Sequence, residues 1–230
     1  MKVQVCLFAR YREEAGHDRV EVELPENGTV EAAWQAVARR FPVLEPYRPF
    51  TLFAVRNDYV PAEHRLGDGD EVCLFPPVSG GAGPAGGDDW IEVTTEPLSE
   101  RALADAVAHP GTGAVALFSG VVRDQTGGRA VKFLEYEAHG PMALAKMREI
   151  GAQVRGRWPT VARLAIVHRI GRLEIGESSV MIAVSSAHRQ EAFAACHFAI
   201  DTLKAIVPIW KKEHFEDGEV WVGMQCDHRP

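Results

Sequence analysis

A chain of 230 residues, 46% hydrophobic and 25% charged, holds enough apolar material for one large or two modest cores. Its formal charge of −7 excludes nucleic-acid or membrane-surface binding by bulk electrostatics, so an anionic ligand has to be met by local basic residues. No stretch approaches the roughly 20 apolar residues that span a bilayer, and residues 1–8 are too short an apolar run for a signal peptide. The expectation is a cytoplasmic protein. The four cysteines, Cys6, Cys73, Cys196 and Cys226, are widely spaced and form no C-x-x-C pair. That spacing suggests neither a zinc site nor a disulfide framework, and Cys6, Cys73 and Cys196 read as buried structural thiols.

In chain order, residues 3–9 read as a strand, and 20–24 alternate cleanly as a half-buried second one. Thr29 is a candidate cap for a helix over 30–40, in which Ala33, Trp34, Val37 and Phe41 recur at helical spacing and Pro42 stops the run. Residues 51–55 and 71–75 are further strands, with turns at 57–58 and 67–70. The order is β-β-α-β-β. Residues 79–87 then consist of Ser, Gly, Ala and Pro alone, which pack no core and read as a linker.

Beyond it, 90–94 is a strand, Ser99 caps a helix to about 108, and 113–122 is a long apolar strand. Strands over 131–137, 163–168 and 179–184 follow, with a helix over 142–157 between the first two. A long helix runs from 187 to about 206, ended by Pro208, and a short strand at 219–222 closes the segment. The reading is α+β with mixed pairing.

Gly80 and Gly81 have a physical use beyond flexibility. Without side chains they thread a narrow channel, and a terminal carboxylate there is open to adenylation and exchange for a nucleophilic thiocarboxylate. The strand order, the DGDEV run at 68–72 and the FPPVSGG run at 75–81 resemble the ubiquitin-like sulfur-carrier subunit of molybdopterin synthase. In that family the protein ends at the second glycine, here Gly81.

Residues 88–230 resemble the large, catalytic subunit of the same enzyme. The matching runs are FSGVVR at 118–123, HRIG at 168–171, SSAHR at 185–189 and DTLKAIVPIWKKE at 201–213. The residues also read physically. If Ser185 or Ser186 caps the long helix, His188 and Arg189 fall in its first turn, where free N–H groups and the dipole favour an anion. Arg189 adds a planar fork suited to phosphate; the plainer alternative is an ion pair with a nearby carboxylate. Lys204, on an apolar stretch of that helix, either snorkels or is held in a pocket. Pro208 bends the chain so that Lys211 and Lys212 turn back toward Lys204, unless Lys211, Lys212 and Glu213 are only a solvated turn. Arg123 ends an apolar strand beside a glycine-rich loop, placed to enter a site or standing as a plain strand-end charge.

The resemblance implies a ubiquitin-like β-grasp domain over 1–81, a linker over 82–87 and an α/β-hammerhead-like catalytic domain over 88–230. It implies addition of two sulfurs to cyclic pyranopterin monophosphate, giving the dithiolene of molybdopterin. Gly80 and Gly81 carry the sulfur, Arg123, His188, Arg189, Lys212 and Glu213 bind substrate, and Lys204 and Lys211 are catalytic. It implies no metal or organic cofactor, an adenylating and sulfurating enzyme as partner, and a homodimer through 88–230. Because Ala82 follows Gly81 in the chain, cleavage after Gly81 is expected. The competing readings are an uncut, self-blocked fusion acting as a scaffold and a sulfur carrier for another pathway, such as thiamine synthesis.

Overall fold

A computed structural model describes residues 1–75 and 89–222, which fall in two compact units. Gly80, Gly81, the linker and Cys226 lie outside the described residues.

In the first unit, β1 (Lys2–Leu7) pairs antiparallel with β2 (Arg19–Glu23) and parallel with β5 (Glu71–Phe75). β3 (Leu52–Val55) lies antiparallel to β5 and to β4 (Asp58–Val60), which gives the order β2-β1-β5-β3-β4. The period-two pattern puts Val3, Val5, Leu7, Val20, Val22, Val72 and Leu74 on one face. There they meet Val30, Ala33, Trp34 and Val37 of α2 (Val30–Arg40). Thr29 caps α2, its hydroxyl accepting from the Ala32 amide at 3.3 Å. A mixed sheet clasping one helix in this order is the ubiquitin-like β-grasp.

Three local features differ from the sequence reading. The first strand stops at Leu7, and Ala9, with φ +48, opens α1 (Ala9–Ala15). The apolar pair Phe8 and Ala9 extended the alternation past the real end, while the polar neighbours of Tyr11 hid a helix that buries this ring. The Tyr11 hydroxyl hydrogen-bonds Thr51 Oγ1 at 2.9 Å. Arg56 and Asn57, both left-handed at φ +54 and +68, form the two-residue hairpin turn into β4, one residue earlier than expected. Pro42 does stop α2, but a 3-10 helix, Pro42–Phe50, follows it.

In the second unit, β6 (Trp90–Thr94), β10 (Val161–Arg169), β12 (Ser178–Ser186) and β7 (Ala114–Val121) form one sheet in that order. Both faces of its central strands are buried, which is why they read as continuous apolar runs. Leu164, Ile166, Ile182 and Val184 face α4 (Gly140–Arg157) and α5 (Arg189–Ile206). Ala165, Val167, Met181 and Ala183 face Leu103 and Val107 of α3 (Glu100–Val107), capped by Ser99. A second sheet runs β11 (Gly171–Glu174), β9 (Arg129–Ala138), β13 (Ile209–Phe215), β14 (Gly218–Val222), with β8 (Gln125–Thr126) paired to β9. β11 escaped the sequence reading because it is only four residues long; Gly171, at φ +85, turns the chain into it from β10. None of the described helices is long and apolar enough to cross a membrane.

Candidate active site

The long helix α5 starts later than the sequence suggests. Ser185 and Ser186 are the last residues of β12 and are fully buried. The Ser186 hydroxyl bonds to the Thr160 carbonyl and hydroxyl, both at 3.1 Å, so neither serine is the cap. The correction follows from sheet pairing: both residues remain in the ladder opposite β7 and β10. His188 takes the N-cap position without a side-chain cap bond, and Arg189 opens the helix. Both side chains are exposed at its positive end.

Lys204 lies in the last turn of α5 and is exposed. It rims a cleft of about 390 Å³ between α5 and β7, walled by Leu117, Phe118, Phe193 and Ile200, with Asp201 beside it. Lys204 thus keeps solvent contact while its side chain lines a mainly apolar cleft. Val207 ends the helix, and Pro208 sends the chain directly into β13.

On β13, Lys211 and Glu213 fall on one face and Lys212 on the other, as strand alternation requires. Lys211 Nζ lies 2.7 Å from Glu213 Oε1. Glu213 is 1% exposed, and its Oε2 has no hydrogen-bond partner among the described residues. The Thr126 hydroxyl donates to Glu213 Oε1 at 3.4 Å. Lys212 instead pairs with Glu219 and lies over the Trp221 ring, 5.6 Å from its centroid. The expectation that Lys212 shares a site with Lys211 is therefore not met within the strand.

Arg123 is exposed just past β7. Its loop is tied on both sides. The Val122 amide donates to the Glu177 carbonyl at 2.9 Å, and the Val131 amide to the Asp124 carbonyl at 2.8 Å. Through Thr126 the same loop reaches Glu213. Arg123, Lys204, Lys211 and Glu213 thus belong to one end of the unit.

His188 and Arg189 belong to the other. At 1.5 Å per residue, the 15 steps from Arg189 to Lys204 span about 22 Å of helix. The sheet agrees: Ser186, just before His188, pairs with Ala114 at the start of β7, whereas Arg123 follows Val121 at its end. One copy of the unit does not bring all the expected residues together.

Behind Lys211 lies Tyr136, which the sequence did not single out, packed on His168. Tyr136 pairs with Lys211 across the ladder and meets the ring of His168 edge-on at 5.2 Å. His168 is buried, and burial lowers its pKa to about 4, so it is a neutral packing element near neutral pH. Arg169 forms an ion pair with Glu177 at 3.0 Å. Cys196 is buried, its Sγ 3.7 Å from the Ile182 carbonyl. Neither Thr126 nor Tyr136 gave a sequence signal, since each acts only through strand pairing.

A ubiquitin-like β-grasp unit in one chain with an α+β unit that carries Lys204 at the rim of an apolar cleft defines the class: a β-grasp domain fused to an α+β domain. The model of the MoaE protein family matches residues 93–206, and that of the ThiS family matches residues 5–81. The chain is 48% identical over 135 residues to a molybdopterin synthase catalytic subunit of Halalkalibacterium halodurans, covering 59% of this chain and 86% of the relative. It is 49% identical over 138 residues to that of a Nostoc species, covering 60% and 84%. The solved molybdopterin synthase structure from Staphylococcus aureus superposes with a TM-score of 0.56 at 44% identity, covering 58% of this chain and 96% of that one. The chain belongs to the molybdopterin synthase catalytic subunit family and carries a ThiS-family domain ahead of it. It is a sulfurtransferase of molybdenum cofactor biosynthesis.

Proposed function

We propose that the chain converts cyclic pyranopterin monophosphate to the dithiolene of molybdopterin, using sulfur carried as a thiocarboxylate on Gly81. The observation that carries this reading is the pair of Lys211 with buried Glu213, tied through Thr126 to the loop that starts at Arg123, with Lys204 at the rim of the apolar cleft. Arg123 holds the anionic substrate. Lys204 and Lys211 assist as an oxygen leaves carbon and sulfur enters, and hydrolysis of the carrier linkage returns Gly81 as a carboxylate. Fixed cations beside an apolar cleft stabilise the charge that develops. Glu213, expected from the sequence to bind substrate, is buried and bonded to Lys211, so it acts instead by positioning that lysine.

His188 and Arg189 join the site from a second copy. β7 is a sheet edge, and Val115, Leu117 and Val121 on it, with Phe193 of α5, are 46%, 36%, 54% and 66% exposed. An unpaired edge with exposed apolar side chains favours a partner strand. A two-fold copy pairing antiparallel along β7 sets the start of one strand beside the end of the other. That arrangement carries His188 and Arg189 of one copy toward Arg123 and Lys204 of its mate. The carrier spans 1–81, the linker 82–87 and the catalytic domain 88–230. A protease cuts after Gly81, a separate adenylating and sulfurating enzyme loads the tail, and the chain works in the cytoplasm.

The test uses the cut, thiocarboxylated carrier with purified catalytic domain and cyclic pyranopterin monophosphate. Lys204→Ala abolishes turnover, and Arg189→Ala weakens substrate binding. Full activity in both variants overturns the site assignment.

A further inference from the structure

Outside this site, one cluster of reactive side chains stands out on the β-grasp sheet. Cys6 and Cys73 are 67 positions apart in sequence but directly opposite each other on the parallel pair β1 and β5. Both lie on the sheet face turned away from α2, outside the Val3–Val5–Leu7 core, and they are 3% and 5% exposed. No disulfide joins them. Glu71, two residues before Cys73 and therefore on the same face, is exposed. The two sulfurs and a Glu71 carboxylate oxygen all lie within 4.8 Å of one another. Arg19 pairs with Glu71 Oε2 at 3.0 Å from the exposed side.

We infer that Cys6, Cys73 and Glu71 form a binding site for a zinc-class divalent cation that ties β1 to β5. Two thiolates and a carboxylate are the donor set of a borderline-soft ion, and a water entering on the exposed Glu71 side completes four ligands. Tetrahedral bonds of about 2.3 Å to sulfur place two sulfurs about 3.8 Å apart. The cluster already falls near that spacing, so binding needs side-chain adjustment rather than strand movement. Each thiol gives up its proton as its metal–sulfur bond forms, so a divalent ion displaces two protons from the pair. Cys6 and Cys73 stand directly opposite each other on the parallel pair, so one ion reaches both sulfurs without a change of register. The opposite pairing of the two positions also explains why sequence spacing gave no metal signature. The site is independent of the sulfur-transfer reading: it uses none of the residues assigned to that chemistry.

Cobalt is the probe. The full chain is stripped with chelator, kept reduced with a phosphine and titrated with Co²⁺ alone. The expected result is one equivalent bound, with sulfur-to-cobalt charge-transfer absorption and tetrahedral visible bands that Zn²⁺ displaces. Cys6→Ser and Cys73→Ser each remove the charge-transfer band, and the exposed Glu71→Gln weakens binding about tenfold or more while leaving the fold intact. Two outcomes overturn the inference: no sulfur-to-cobalt band in the folded wild-type chain, or a band that survives in both serine variants.

Discussion

Lys211 and Glu213 stand on the same face of β13, with the ammonium 2.7 Å from a carboxylate that is 1% exposed. The carboxylate is fixed by burial and by Thr126, so it sets where the lysine points. Glu213→Gln keeps the shape and removes the charge. A charged hydrogen bond contributes about 1.5–3 kcal/mol, so kcat falls roughly 10- to 100-fold with a smaller change in KM. Steady-state kinetics of the variant measure this split. An unchanged kcat removes Glu213 from the positioning role.

The 22 Å or so of helix between Arg189 and Lys204 makes a second prediction. If the two act in one site, they come from different copies. Lys204→Ala and Arg189→Ala are then each weak or inactive alone, but mixing them creates dimers with one intact site. Random mixing restores about a quarter of wild-type activity. Activity of the refolded mixture is the measurement, and no recovery means each copy holds its own complete site.

The apolar edge at β7 predicts the consequence of blocking it. Leu117→Asp places a charge on the exposed edge without touching either sheet core. The expected outcome is a monomer by light scattering, with the second unit still folded by circular dichroism and with turnover lost.

Gly113 permits a close approach. A Cβ there would meet the Ala187 carbonyl oxygen at 2.7 Å. Gly113→Ala pushes the segment leading to His188 and Arg189 away from β7 and destabilises the protein by roughly 1–3 kcal/mol, as overpacking does. Thermal unfolding checks the stability, and substrate affinity checks the displaced segment.

His168 gives a pH dependence with a definite sign. Burial lowers its folded pKa to about 4, against 6.5 for a free side chain. Between those values the unfolded chain binds the extra proton, so stability rises with pH there. His168 is therefore without penalty above about pH 6.5 and costs on the order of 3 kcal/mol by pH 4. Denaturant unfolding across this range shows the fall, and His168→Gln flattens it.

Much of the fold was legible because periodicity and caps agreed. Thr29 and Ser99 mark their helices, and the β10 and β12 runs are apolar throughout because both of their faces are covered. α1, β4 and β11 are short, and β13 carries the charged run at 211–213 that also reads as a solvated turn; the identity of these elements depends on pairing or on one buried side chain such as Tyr11. Ser185 and Ser186 look like caps, but the ladder to β7 holds them as strand. Of the candidate site, the residue types were legible and their grouping was not. Alternation separates Lys211 from Lys212, and helix length separates Arg189 from Lys204. Neither follows from a motif until the elements have fixed ends.

Delivery of sulfur from Gly81 to the pyranopterin substrate requires a free carboxyl end at Gly81. Intact-mass analysis of the protein, taken from a host whose molybdopterin comes from this gene alone, tests it most directly. The expected result is a fragment ending at Gly81, part of it heavier by the replacement of one oxygen with sulfur, alongside a fragment beginning at Ala82. Finding only the uncut chain in such cells, while molybdopterin is being made, contradicts it.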